Sequence, residues 1–493
     1  MKKIVIIGGG LGGLTSGALL AKAGFRVTLL EQHSIVGGCA TVFKRGDFTC
    51  EVGLHEMDGL GERDSKVKIF NELGIFDSVD FVKIPQFFRA KLDDLDITIP
   101  HGIENVKRVL KEQFPKESIG IDNYFTKIDS ISKSIHELSN LKKFINICKL
   151  PKNILNIVLN SKQNFGSFLD SIIKDEKLKT VLNSNLGYYH DDPYSLSLIY
   201  HAIPQYSYFE GGSWFIKGGS QNLSDALADI IIENGGDVIK RAKVTALKTK
   251  DSKITKVLFE RKKESFELES DAVISNTSPQ QTYSMLDRKF YDEKIDKLEI
   301  APSLFTIYLG FNKNLKNIYP DNPYSSFFIE NVEKQSDLNS KNIELKERVF
   351  SFVDYSKIDS GLTKNDKSFG VLCGIDYIDE WENLSKDEYR AKKDEIKESF
   401  LNRLEKHYPD IRNYIEYSEL ATAKTVKRYT LSESGTAYGF AQTPKQIING
   451  FKIKSKKVKN LYFAGSWSEP ASGFTGAIIS GDMTSKKVKQ DIC

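Results

Sequence analysis

The chain opens on an unbroken apolar run, Ile4-Val5-Ile6-Ile7, β-branched throughout and cut off by three glycines. A run of this length and character predicts a strand buried on both faces of a parallel sheet. The pattern then changes period. Leu14 to Ala23 predicts a helix, with Leu14, Ala18 and Leu19 on one face and Gly24 ending it. Val27-Thr28-Leu29-Leu30 predicts a second strand, with Glu31 at its end. Much later, Ser303 to Phe311 alternates as a half-buried strand does. Ser368 to Tyr377 contains another strand, and Asp387 to His407 predicts a charged amphipathic helix. No apolar run reaches eighteen residues, so no transmembrane helix is expected.

Between the first strand and helix, Gly8, Gly10 and Gly13 fit G-x-G-x-x-G. The first glycine allows a tight turn. The second lets the backbone approach a pyrophosphate, and the third lets helix and strand pack closely. The amides of Leu11 and Gly12 and the helix dipole then face the phosphates. Glu31 stands eighteen residues after Gly13, where an acid binds ribose hydroxyls. A carboxylate there disfavours a 2′-phosphate, so NADP is not expected at this site. Strand, loop, helix, strand and acid in order predict a dinucleotide-binding unit.

Composition narrows the field. The chain has 493 residues, too many for one simple core, so two packed domains are expected. Its 70 basic and 66 acidic residues nearly cancel, leaving no footprint for nucleic acid. Five cysteines at 39, 50, 148, 373 and 493 show neither metal nor disulfide spacing. They predict free thiols in the cytoplasm, and no metal site. A signal peptide is not expected, because its cleavage would destroy the glycine loop.

After Glu31 and Gln32 comes the doublet Gly37-Gly38, within "EQHSIVGGCATVFKRGDFTCEVGLHEM". This stretch resembles the FAD-dependent family that includes phytoene desaturases, carotenoid isomerases and retinol saturases. "FIKGGSQNLSDALADIIIENGGDVIKRAKVTAL", "DAVISNTSP" and "NLYFAGSWSEPASGFTGAIISG" are similar to later motifs of that family. The resemblance covers most of the chain. It implies an α/β fold: a Rossmann-like FAD domain of the glutathione-reductase/amine-oxidase type, with an inserted α+β substrate domain of sheet and helices. The FAD domain is expected over 1–95, 212–290 and 455–493, and the substrate domain over 96–211 and 291–454. The resemblance also implies roles. Gly37, Gly38 and Cys39 lie by the FAD phosphates, Leu54 near the flavin, Val244 at the adenine and Asn276 at the final crossover. Gly465 and Ser466 approach the ribityl chain, and Phe474, Thr475 and Gly476 open a helix toward the pyrimidine ring. Two positions depart from the family. Ser466 stands where an acid is common, and Lys217 precedes Gly218-Gly219 where Pro-x-Gly-Gly is common.

The implied activity is oxidoreduction at carbon–carbon double bonds of a polyene, isoprenoid, retinoid or related lipid: desaturation, saturation or flavin-assisted isomerisation. An amine-oxidase-like flavoenzyme and a non-catalytic lipid- or prenyl-binding chain on the same fold are the alternatives. His55 is the candidate proton-handling residue, with Glu56 behind it. Cys39 reads as a small residue packed beside the cofactor, and His190-Asp191-Asp192 before Pro193 as a turn. Tyr188, Tyr189, Tyr194, Tyr200, Tyr206, Tyr208, Phe209 and Trp214 either line an apolar tunnel or simply fill the core. Turns at Gly435 and Gly439 suggest a substrate-facing loop. Lys142 to Ile173 mixes lysines with apolar residues. It reads either as a peripheral membrane contact or as a core helix, with Pro151 interrupting the pattern. No second G-x-G-x-x-G follows a strand, so a separate carrier, a quinone or oxygen is expected to exchange the electrons.

Overall fold

The computed structural model describes residues 1–139, 150–470 and 473–492. Two sheets organise it. The first is wholly parallel, with five strands in the order Asp237–Lys240, Arg26–Glu31, Lys3–Ile7, Ala272–Ser275 and Leu461–Phe463. The apolar run at the N-terminus is continuous because both its faces are covered. Ile4, Ile6, Val27 and Leu29 pack under the helices Leu11–Lys22, Gln221–Glu233 and Gly473–Ile492. Val5, Ile7 and Leu30 pack on the other side, against Val244, Leu247 and Val257 of a three-stranded antiparallel meander, Lys243–Lys250, Lys253–Arg261 and Glu264–Glu269. Strands from both ends of the sequence share this sheet, so the nucleotide loop and the C-terminal helix are neighbours.

The second sheet has seven strands in the order Ile415–Ala421, Ser303–Phe311, Ser368–Asp376, Phe350–Asp354, Ser325–Ile329, Phe88–Leu92 and Asp96–Ile99. All pairings are antiparallel except that of Ser325–Ile329 with Phe88–Leu92. Helix Lys386–His407 covers one face through Ile396, Phe400 and Leu404, against Phe305, Phe350 and Phe352. Ser385 and Glu388 form a capping box that starts this helix. Helices Ser118–Ser139 and Leu198–Gly211 build a further core with Phe88, Ala90 and Phe327.

Three sequence expectations are adjusted. The first helix begins at Leu11 rather than Leu14. Gly12 and Gly13 are helical despite poor propensity, because Gly10 is the extended N-cap. Phe88–Leu92 pairs with Asp96–Ile99 as a hairpin of the seven-stranded sheet. A boundary at residue 95 would cut that hairpin, so sheet membership puts the crossing before Phe88. Pro151 is helical, the second residue of the described helix Leu150–Asn160. The expectations for Lys142, Lys143, Phe144, Ile145, Ile147, Cys148 and Lys149, and for Cys493, lie outside the described residues.

Candidate active site

The glycine loop is a cradle with no room for side chains. Gly8 has φ +92°, a conformation that other residues adopt at a cost. A Cβ on Gly10 would stand 2.5 Å from Asn276 Nδ2, and one on Gly12 would stand 2.5 Å from Gly465 Cα. The helix that follows has no side-chain bond from its N-cap residue and no acid in its first turn, so the amides of Leu11 and Gly12 are left for an anion. Glu31 closes the loop from the second strand. Its carboxylate accepts hydrogen bonds from the N–H of Gly9 (2.7 Å) and of His33 (2.8 Å). Each oxygen keeps a lone pair for a ribose hydroxyl. Gly37 N–H donates to Gly9 O at 2.7 Å, which brings the glycine doublet against the loop.

The distant motifs lock onto this cradle. Asn276 accepts from Gly13 N–H at 3.1 Å, and Gly465 N–H donates to Ser480 Oγ at 3.1 Å. A Cβ on Gly481 would meet Gly12 O at 2.6 Å, so the C-terminal helix packs directly on the nucleotide loop. Val244 lies in the strand that follows Ala242, whose N–H donates to Glu31 O at 2.8 Å. Gln32 turns aside, with Nε2 donating to Tyr429 O at 3.2 Å. The glycine cradle, uncapped helix and buried acid fit the ADP half of FAD. Gly473, Phe474, Thr475 and Gly476, at the open end of the last helix, fit its flavin half.

The segment Val52–Asp58 is held from outside by its backbone. Tyr324 donates to His55 O at 2.5 Å and Tyr355 to Leu54 O at 2.9 Å. Glu51, buried, accepts from Gly53 N–H, Leu54 N–H and both donors of Ser220, which ties the segment to the Gly218-Gly219 turn. Burial pushes the His55 imidazole down to about 4, so the ring is neutral at pH 7. Burial pushes the Glu56 carboxyl up to about 7, although Tyr188 O–H donates to Oε1 at 2.8 Å and opposes the shift. Asp58 accepts from Thr475 Oγ1 and lies 3.5 Å from the fully buried ammonium of Lys66, which also pairs with Asp64. Burial raises the Cys39 thiol, so it stays protonated.

Glu56, His55 and the Gly473–Gly476 turn open onto one cavity of about 430 Å³. Its walls are mainly apolar and aromatic, with Tyr188, Tyr189, Tyr200 and Tyr208 from the aromatic stretch, Tyr438 from the loop between Gly435 and Gly439, and Phe327 and Ile375 from the larger sheet. The other aromatics of the stretch do different work. Phe209 is core, Tyr206 stacks under Arg63 and Trp214 under Lys83. His190 and Asp191 also reach the cavity, while Asp192 accepts from Tyr194 N–H and Ser195 O–H in the turn before Pro193. Among the described residues no cluster of His, Cys, Asp and Glu could hold a metal ion. Sequence reading passed over the Asp58–Lys66–Asp64 cluster, whose members carry no motif and meet only through the helix cap at Asp64.

Cradle, second motif and cavity together define a flavin-binding oxidoreductase with a separate substrate layer. The chain belongs to the family of flavin containing amine oxidoreductases, whose model matches residues 11–489. It is an FAD-dependent enzyme. It is 26% identical to prolycopene isomerase 2 of an Oncidium hybrid cultivar, over 99% of this chain and 84% of that protein. It is 26% identical to the 4,4'-diaponeurosporene oxygenase of Staphylococcus aureus strain MW2, over 99% and 98%. An oxidoreductase from Methanosarcina mazei superposes with a TM-score of 0.63 at 17% identity, over 98% of this chain and 100% of that one. Cyclohexylamine oxidase from Brevibacterium oxydans does so at 0.63 and 13%, over 100% and 99%, and shares the fold.

Proposed function

We propose that this enzyme acts on carbon–carbon double bonds of a polyene or related isoprenoid lipid. The observation that carries the reading is the aromatic-lined cavity meeting Glu56 and the flavin motif at one place. Relatives named for prolycopene and 4,4'-diaponeurosporene support it. Gly8, Gly10, Leu11, Gly12, Gly13, Gly37 and Gly38 seat the pyrophosphate. Glu31 holds the ribose, with Gln32 and Val244 near the adenosine. Asn276 and Gly465 align the two motifs. Cys39 lies with the glycine doublet by the phosphates, Ser466 lies with Gly465 at the ribityl chain, and Leu54, Phe474, Thr475 and Gly476 frame the ring. FAD, when bound there, supplies hydride or electron transfer. Glu56 holds a proton near neutral pH and gives it to, or takes it from, a carbon of the chain in the cavity. Neutral His55 packs beside it and adds no charge. The aromatic walls orient the polyene and exclude water. A separate carrier, a quinone or oxygen exchanges the electrons.

Anaerobic incubation with polyenes, retinoids and amines tests this, following flavin absorbance and product mass. A polyene is expected to gain or lose two hydrogens, or to isomerise at constant mass. A flavin that responds to amines alone overturns the proposal.

The substrate enters from a bilayer. No described helix is long and apolar enough to cross a membrane, but Leu150–Asn160 is built inside out. Its asparagines face the protein, Asn153 bonding Glu137 at 2.9 Å and Asn156 bonding Ser134 Oγ at 2.9 Å. Leu155 and Leu159 face outward, 57% and 70% exposed, beside Ile154 and Val158. Lys152 and Lys162 are exposed nearby, suited to an anionic surface. The cavity reaches Ile135 and Ser139, on the helix to which this one is tethered. Replacing Leu155 and Leu159 by Glu removes two apolar insertions worth roughly 1.5–3 kcal/mol each. Sedimentation with phosphatidylglycerol vesicles is expected to fall at least about tenfold, with FAD content unchanged. A wild-type chain that ignores vesicles overturns this part.

A further inference from the structure

We propose that Asp58 and Lys66 are positioning residues for the flavin: Lys66 fixes Asp58, and Asp58 fixes Thr475 in the turn that opens the last helix. This rests on the reading that Gly473 to Gly476 hold the flavin half of FAD. Asp58 and Thr475 both line the cavity, and Lys66 stands behind them.

The bonds run in series. Thr475, in the first turn of helix Gly473–Ile492, donates from Oγ1 to Oδ1 of Asp58, which ends strand Met57–Asp58. The other Asp58 oxygen lies 3.5 Å from Lys66 Nζ. Lys66 is fully buried, and its ammonium also pairs with Asp64 Oδ2. Burial opposes that charge, but Asp58 and Asp64 outweigh it and keep the ammonium protonated. Asp64 is pinned in turn as the N-cap of helix Ser65–Leu73. It accepts from Lys66 N–H at 2.9 Å and from Leu60 N–H at 3.1 Å. Leu60 sits at φ +72°, a conformation that a leucine adopts only at a cost. Helix Ser65–Leu73 also packs on the last helix, so the cluster and the turn share one frame.

A buried lysine between carboxylates is a poor device for stability, because apolar side chains of like volume fill such a space as well or better. The strain at Leu60 adds to its cost. What the cluster delivers is one fixed hydroxyl. A threonine O–H carries one hydrogen and two lone pairs. Asp58 takes the hydrogen, so Thr475 Oγ1 offers the flavin only lone pairs. On the pyrimidine edge these answer the ring N–H and repel the carbonyls. The carbonyls fall to the N–H groups that the first helical turn leaves without intrahelical partners. Without Lys66, Asp58 is a buried anion with no cation beside it and cannot hold its place. Without Asp58, the hydroxyl turns freely.

The test titrates the full-length chain with FAD and, separately, with ADP, which calls only on the glycine cradle and Glu31. Asp58→Leu, Lys66→Met and Thr475→Val are each expected to lower FAD affinity at least about tenfold, with ADP affinity held within about twofold. Thr475→Ser keeps the hydroxyl and is expected to bind FAD as wild type does. Adding Lys66→Met to Thr475→Val is expected to cost nothing further, since both act through one hydroxyl. Asp58→Leu leaves Lys66 paired with Asp64 and decides the point if Lys66→Met does not fold. FAD and ADP affinities that fall together mean a purely structural role and overturn the proposal, as do losses that add in the double variant. Normal FAD affinity in Asp58→Leu and Lys66→Met beside a weakened Thr475→Val overturns it while leaving the turn as the flavin site. If Thr475→Val itself binds FAD normally, the reading of the turn fails, and the proposal with it.

Discussion

A Gly12→Val chain is expected to purify without FAD and without the yellow absorbance of a flavoprotein. The reason lies in backbone, not in any side chain that could move aside. A Cβ at residue 12 stands 2.5 Å from Gly465 Cα and 2.8 Å from Asn276 Oδ1. Gly465 itself sits at φ +90° and donates to Ser480, so it has no freedom to retreat. The two flavin motifs must therefore separate. Overpacking of this kind costs roughly 1–3 kcal/mol where side chains yield, and more where backbone meets backbone. An FAD affinity lowered at least about 100-fold corresponds to about 2.7 kcal/mol. The ratio of flavin to protein absorbance measures the loss, and a thermal melt with added FAD separates lost affinity from lost fold. Gly24, with open space around its would-be Cβ, provides the contrast: Gly24→Asn is expected to keep full FAD content. A yellow Gly12→Val protein with normal affinity would show that the motifs do not meet as described.

That first cradle was legible because its chemistry is local. Strand, glycines, helix and Glu31 lie within one βαβ stretch, and each residue type has a geometric reason to be where it is. The packing of Gly465 and Gly481 against Gly12 was legible only through resemblance, since nothing in the sequence near residue 12 names a partner over 450 residues away. The substrate layer was harder. Ser303–Phe311 alternates enough to be read as a strand, yet it is buried nearly throughout, and its two neighbours, Ser368–Asp376 and Ile415–Ala421, come from distant stretches. Phe88–Leu92 joins the seven-stranded sheet through Asp96–Ile99 and the remote Ser325–Ile329, and periodicity does not show the second of these pairings. Tyr188 could be counted as an aromatic, but its bond to Glu56 depends on a 132-residue separation that periodicity cannot see. Lys66 is the clearest omission. A lysine in a polar turn reads as solvated, and only the tertiary fold shows it enclosed by Asp58 and Asp64.

Glu56→Gln is expected to lower kcat by roughly 10²–10⁴-fold, the range for loss of a positioned acid or base. The same substitution is expected to abolish an inflection near pH 7 in the rate profile, because Glu56 is the buried carboxyl raised to about 7. The limb on which wild type loses activity assigns the role. Loss above pH 7 makes Glu56 the proton donor, and loss below makes it the acceptor. Stability gives an independent reading. An unfolded glutamate ionises near 4.5, so between about 4.5 and 7 the folded chain holds a proton that the unfolded chain has released. Wild-type stability therefore falls as pH rises through that window. Glutamine removes the slope. The variant is expected to be more stable than wild type above pH 7, by up to about 3 kcal/mol, and to lose this advantage below pH 4. Tyr188→Phe supplies the opposite perturbation. Tyr188 O–H stabilises the ionised form, so its loss is expected to move the rate inflection upward while leaving FAD content intact. An unshifted inflection in Tyr188→Phe, together with full activity in Glu56→Gln, would assign the proton to another group and leave Glu56 as part of the cavity wall.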